Sequence, residues 1–304
     1  MEIATLVCNQ KLSYDSVFQA YSMYEYLRKQ ENQVQIIDYN LLNKKRNKKN
    51  IMLYNFLYNN TILTVNRYNS LEQIEDNQPL VDRYIIINGS YNELTLKLNG
   101  KDNIAYGVKD LDNSEMKELS KNFSNISSIY DIKNDDIPKV VDPIFLLSKE
   151  EWSDIILDKS SIKLSQEYNL IYSDYVTKDM LKYASIISQK NNCKNYIVSE
   201  KTEGLFYNGK RLKNVNPIEL ANLIFEAQEV ITSCNDGIKL SVLFDKDLHI
   251  FISKEEEQIE LINELKVQSR IVNNPEIILP RKEDYEKSKK MILGLKEKSC
   301  ELLK

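Results

Sequence analysis

Histidine is almost missing from this sequence: its 304 residues include one, His249. Ser-His-Asp and Cys-His catalysis both need an imidazole, so acid–base chemistry here must rest on Asp, Glu, Tyr, Cys or Lys. The surrounding stretch, DLHIFIS, is strand-like and predicts a partly buried strand residue rather than a catalytic one. Glycine is scarce as well, with 7 in all, and the first is Gly89. The first strand–helix turn therefore has no GxGxxG, which excludes an ordinary dinucleotide-binding domain at the N-terminus. Asp38 ends the second strand, where a ribose-binding acid can stand, but without the glycines it reads as a strand-end cap. The cysteines, Cys8, Cys193, Cys234 and Cys300, form no CxxC pair. Neither a zinc site nor a disulfide framework is expected, and a reducing cytoplasm fits. No apolar run approaches the roughly 20 residues of a membrane helix, and MEIATLV lacks the regions of a signal peptide.

What is present describes a soluble globular protein, 42% hydrophobic and 28% charged, long enough for two domains each with its own core. The net charge of −4 argues against a nucleic-acid partner. The basic run NKKRNKKN holds Lys44, Lys45, Arg46, Lys48 and Lys49. It reads as a solvated loop that could attract an anionic substrate or bring the chain to a membrane surface as a peripheral protein.

Strand-like and helix-period runs alternate through most of the chain, the signature of parallel α/β units. EIATLV and VQIID are strands flanking the helix SYDSVFQAYSMYEYLRKQ, in which Val17, Tyr21, Tyr24 and Leu27 share a face. Its cap candidates are Ser13, Asp15 and Ser16. RYIIING, NIAYG and ISSIYD follow as strands. VVDPIFLLSKEEW reads as an extended Asp-Pro connection into a new helix, which places a domain boundary between 147 and 148. The second set runs through YNLIYS, the helix TKDMLKYASIISQK, NYIVS and NPIELANLIFEAQ, whose Asn216, Pro217 and Glu219 make a capping box with proline at the first helical position. The expected domains are 1–147 and 148–304, both doubly wound α/β and facing a central cleft. A terminal amphipathic helix carrying Tyr285, Ile292, Leu295 and Leu302 is expected to pack across them.

The stretch VITSCNDGIKLSVLF, 230–244, reads as a buried strand, a polar turn and a helix. At such a junction unpaired helix N–H groups face a ligand. The turn residues Ser233, Cys234, Asn235, Asp236 and Gly237 are the first candidate site. Lys239, in the first turn of that helix, could add a positive charge, although a solvent-exposed helix residue is its plainer role. Cys234 reads as a structural thiol rather than a nucleophile.

Four stretches together resemble the polysaccharide pyruvyl transferase family: SYDSVFQAYSMYEYLRKQENQVQIIDY, YIIINGSYNEL, VVDPIFLLSKEEW with Trp152, and NPIELANLIFEAQEVITSCNDG. The resemblance implies a glycosyltransferase-B-like fold of two Rossmann-like domains. It also implies transfer of a pyruvyl group from phosphoenolpyruvate, as a ketal, to a sugar of a cell-envelope glycan, with no cofactor. The acceptor would be a glycan or a lipid-linked sugar. On this alignment the substrate-binding positions are Ser13, Tyr14, Asp15 and Gln19, then Gly89, Ser90 and Asn92, then Tyr130 and Asp131, and finally Ser233, Cys234, Asn235, Gly237 and Lys239.

This sequence departs from the family at its polar positions. Ser13 and Asp15 replace Asn and Gly, Tyr91-Asn92 replaces Asp-Gln, and Tyr130-Asp131 stands where the family has Arg-Glu. Asp236 falls at the family's histidine, as the candidate catalytic base. An ionised aspartate only accepts hydrogen bonds, and at contact range it repels an anionic donor by about 1 to 4 kcal/mol. Three readings follow from these departures. One is a divergent transferase, and another is an inactive family member that binds a glycan or a protein. The third is a nucleotide-sugar glycosyltransferase that shares the fold.

Overall fold

A computed structural model describes residues 1–8, 12–39, 47–108, 111–129, 137–164, 166–203, 209–253, 256–280 and 285–304, with only the backbone of Asn113. Two compact units emerge, one of Met1–Leu147 with Leu293–Lys304, the other of Ser148–Ile292.

In the first unit the chain runs β1 (Glu2–Val7), α1 (Tyr14–Lys29), β2 (Gln33–Tyr39), α2 (Lys48–Asn60), β3 (Leu63–Tyr68), α3 (Leu71–Asp76), β4 (Arg83–Ile87), α4 (Tyr91–Leu94), β5 (Ile104–Tyr106), α5 (Asn113–Leu119) and β6 (Asn125–Ile126). The six strands form one sheet in the order β3-β2-β1-β4-β5-β6, and every pairing is parallel. A parallel sheet is covered on both faces, so its central strands read as unbroken apolar runs. Four successive residues are buried in both β1 and β4. Ser13 is the residue that caps α1: its hydroxyl accepts from the Ser16 N–H at 3.2 Å, and the Ser16 hydroxyl accepts from the Ser13 N–H at 2.9 Å. The expected strand ISSIYD is shorter than its apolar pattern suggests. It is represented by β6 at Asn125–Ile126 and by an isolated bridge from Ser128 to Lys139, while Tyr130 and Asp131 lie outside the described residues.

Asp142 accepts the Ile144 N–H at 3.0 Å and starts a 3-10 turn, Pro143–Leu146. A capping box at Ser148 and Glu151 then opens α6 (Lys149–Lys159). The second unit continues through β7 (Tyr168–Tyr172), β8 (Tyr175–Val176), α7 (Lys178–Asn191), β9 (Lys194–Val198), β10 (Lys201–Thr202), β11 (Lys210–Leu212), α8 (Pro217–Glu226), β12 (Glu229–Thr232), α9 (Asn235–Leu243), β13 (Asp247–Ile250), α10 (Glu256–Glu264) and the start of α11 (Glu286–Leu302), which from Leu293 belongs to the first unit. Its main sheet is β11-β9-β7-β12-β13, again all parallel, with β8 and β10 pairing separately. Trp152 is fully buried, edge-on to Phe244 with ring centroids 6.5 Å apart.

Candidate functional site

In a doubly wound sheet, successive crossovers go one way from the first strand and then the other. The strands flanking that reversal open at their carboxyl ends, where ligands bind. In the second unit the reversal lies between β7 and β12, whose last residues, Tyr172 and Thr232, are in register. Ser173 follows one strand and Ser233 the other, so the candidate turn 233–237 sits at the switch point.

The turn is built from the inside outward. Thr232 Oγ1 accepts the Cys234 N–H at 3.0 Å and tightens the bend. Gly237 then passes so close to the sheet that a Cβ would lie 2.5 Å from Thr232 Oγ1 and 2.9 Å from Tyr172 Cδ1. Asp236 is 3% exposed, and its carboxylate accepts the Tyr172 hydroxyl at 2.7 Å. Burial first, and then the charge of Asp236, hold that phenol well above its ordinary pKa, which keeps it a proton donor. Asp236, the candidate base, is thus a buried acceptor for a tyrosine. Lys239 corrects its solvent-exposed reading, because it is only 4% exposed. It follows Asp236 by three residues, on the same face of α9, a helix buried at every position from Asp236 to Val242. Ser233, Cys234 and Asn235 remain half-buried at the rim.

Three residues outside the sequence motifs complete the site. The Ser173 hydroxyl lies 2.7 Å from that of Ser233. Gln258 of α10 is fully buried, donates to the Ser233 carbonyl at 2.6 Å and accepts from the Ser253 N–H at 2.6 Å. Tyr172 and Ser173 close the strand pattern YNLIYS, so their position was accessible from sequence. Gln258 lies within EEEQIELINE, where no local pattern separates it from its solvated neighbours.

The first unit has its own reversal, between β1 and β4. Here Gln19 is 3% exposed and acts as a clamp: its amide nitrogen donates to Asp142 at 2.8 Å, and its amide oxygen accepts from Asn88 at 2.8 Å. Gly89 packs so tightly that a Cβ would meet Ile86 at 2.9 Å and Leu94 at 3.0 Å. Ser90 caps the short α4 with Glu93, while Asn92 is exposed and its carbonyl accepts from Thr95 at 2.8 Å. Tyr14 stacks on Phe18 beneath the Lys49 ammonium, 5.2 Å from its ring centre, and Asp15 is half-buried in the first turn of α1. Asp38 is not a strand-end cap. It is 4% exposed, with Arg67 donating at 3.0 Å and Tyr54 at 2.9 Å.

His249 also differs from its partly buried reading, being 1% exposed. With Glu229 and Asp247 it gathers donor atoms within 4.8 Å of one another. Those side chains are already tied into hydrogen bonds and ion pairs. His249 joins Glu229 at 2.7 Å and the Tyr183 hydroxyl at 2.9 Å, Glu229 also takes Asn191, and Asp247 is paired with Arg270. Glu229 and Asp247 begin their strands, so the cluster braces the amino ends of β12 and β13, opposite the carboxyl ends that carry the 233–237 turn.

No family model and no curated protein sequence matches this chain. Solved structures do. UDP-N-acetylglucosamine 2-epimerase from Rickettsia bellii is 10% identical over 100% of this chain and 96% of its own, with a TM-score of 0.55. The Methanocaldococcus jannaschii UDP-GlcNAc 2-epimerase, in complex with UDP-GlcNAc and UDP, is 11% identical over 99% and 100%, with a TM-score of 0.54. MurG from Acinetobacter baumannii is 11% identical over 99% of each chain, with a TM-score of 0.52. The chain has a glycosyltransferase-B-like fold of two Rossmann-like units with parallel sheets.

Proposed function

We propose that this chain is a sugar-handling protein that binds a nucleotide sugar at the β7–β12 switch point and does not transfer pyruvyl groups. The observation that carries the reading is the chemistry of the turn. Its rim, Ser233 to Asn235, is neutral and half-buried, and the carboxylate behind it, Asp236, is held by Tyr172. Neutral hydroxyl and amide groups suit the polyol part of a sugar, and none of the three rim residues brings the positive charge that a small, densely anionic donor such as phosphoenolpyruvate calls for. Solved proteins of this fold bind UDP-GlcNAc, which supports the same ligand class here.

Pyruvyl transfer draws its support from the sequence resemblance alone. Retained positions that suggested it have local structural duties: Gln19 clamps Asp142 to Asn88, and Gly89 and Gly237 permit close packing. Calorimetric titration with UDP-GlcNAc and with phosphoenolpyruvate tests the reading. Saturable binding of the first and none of the second is expected. Phosphate release from phosphoenolpyruvate in the presence of a sugar acceptor, or failure to bind UDP-GlcNAc at millimolar concentration, refutes it.

A further inference from the structure

We propose that Ser233 is a specificity-determining hydrogen-bond acceptor, oriented by Ser173, so that the turn selects an O–H or N–H donor on its ligand and rejects an anionic oxygen. This deepens the nucleotide-sugar reading of the same turn and rests on it.

The polarity follows from counting protons. A serine hydroxyl has one proton and two lone pairs. Around Ser173 Oγ stand the Tyr175 carbonyl oxygen at 2.8 Å, the Tyr175 N–H at 3.2 Å and Ser233 Oγ at 2.7 Å. The carbonyl can only accept, so it takes the single Ser173 proton. The Tyr175 N–H fills one lone pair. The contact with Ser233 then needs a proton from Ser233, because Ser173 has none left to give. Ser173 is saturated by this arrangement, and among the described residues Ser233 keeps two lone pairs and no free proton.

A carboxylate or phosphate oxygen placed against Ser233 would meet lone pairs, with the Asp236 carboxylate three residues further on. A sugar hydroxyl, an acetamido N–H or a base N–H would complete the chain of hydrogen bonds. Gln258 fixes the stage for this selection. Its buried amide ties the Ser233 carbonyl to the Ser253 backbone, which fixes the main chain that carries the serine.

Two measurements test the proposal. Neutron diffraction from deuterium-exchanged crystals of the full chain is expected to show the Ser233 deuteron directed at Ser173 and the Ser173 deuteron at the Tyr175 carbonyl. A Ser173 deuteron on the line to Ser233 overturns it, whatever the ligand. Calorimetry with UDP-GlcNAc is expected to show about 2- to 10-fold weaker binding for Ser233→Ala, the effect of one neutral hydrogen bond, with the variant's unfolding midpoint confirming that it is folded. Unchanged affinity in the folded variant overturns the role of Ser233 while leaving the nucleotide-sugar reading intact. A wild-type chain that fails to bind UDP-GlcNAc overturns both.

Discussion

Asp236 stands where the resembled family carries an imidazole, and its surroundings show why reversing that one residue does not restore the family's chemistry. The carboxylate is buried and receives the Tyr172 hydroxyl, and the glycine beside it is pressed against Thr232 and Tyr172. Asp236→His would put a larger ring into packed space and replace the carboxylate that accepts the Tyr172 hydroxyl. It is expected to lower stability by about 1–3 kcal/mol without creating phosphoenolpyruvate binding, and tight binding by the variant in calorimetry would contradict this. Tyr172→Phe isolates the hydrogen bond. It leaves a buried carboxylate short of one donor, and a loss of about 1–3 kcal/mol is expected in urea unfolding. At this scale the sequence was informative about position and poor on burial. The turn was legible from its strand–polar–helix pattern, but Lys239 and His249 are buried because other elements cover them, and residue type alone points the opposite way.

Elements were legible where they are central. β1, β4, β7 and β12 are covered on both faces and so appear as apolar runs, and α1 and α8 announce themselves by their caps. β3 carries no such signal. LTVNRY sits at the edge of its sheet with Val65 fully exposed, so its composition is that of a surface segment. The β12–β13 pair makes a prediction about pH. Burial pushes the Glu229 carboxyl up, but His249, Asn191 and Lys190 more than offset it, and the net pKa is lowered from the ordinary 4.5. A carboxyl with a depressed folded-state pKa contributes stability above its unfolded value, and that contribution is lost as pH falls through the folded one. Stability should therefore decline below about pH 4.5, and Glu229→Gln should flatten this part of the profile; identical acid profiles for the two proteins would exclude the assignment. In α11, Gly294 has no heavy atom within 4 Å of where a Cβ would sit. A helix-interior glycine in open space costs conformational entropy for no packing return. Gly294→Ala is expected to raise stability by about 0.5–1 kcal/mol in denaturant titration.

At the scale of the whole molecule the fold repeats one device twice, a parallel sheet whose strand order reverses beside its first strand. Alternation of strands and helices made this architecture readable, and the choice between the two reversals as ligand site was not, because it depends on which polar groups are already spent. In the first unit Gln19 gives its amide to Asp142 and Asn88, and Ser13 and Ser90 cap helices. In the second, the Ser173–Ser233 chain ends on an oxygen with lone pairs to offer. The two reversals should therefore respond differently to mutation. Gln19→Ala strips a partner from a buried carboxylate and from Asn88, and about 1–3 kcal/mol of stability should be lost. Its dissociation constant for UDP-GlcNAc should stay within about twofold of wild type, because no ligand contact is removed and the second unit keeps its own core and hydrogen bonds. Ser233→Ala should weaken binding and cost about 0.5–1.5 kcal/mol of stability, the hydrogen bond it gives to buried Ser173. If Gln19→Ala abolished binding in a chain that remained folded, the first unit's reversal would have to hold part of the ligand, and the assignment of the site to the second unit alone would fail.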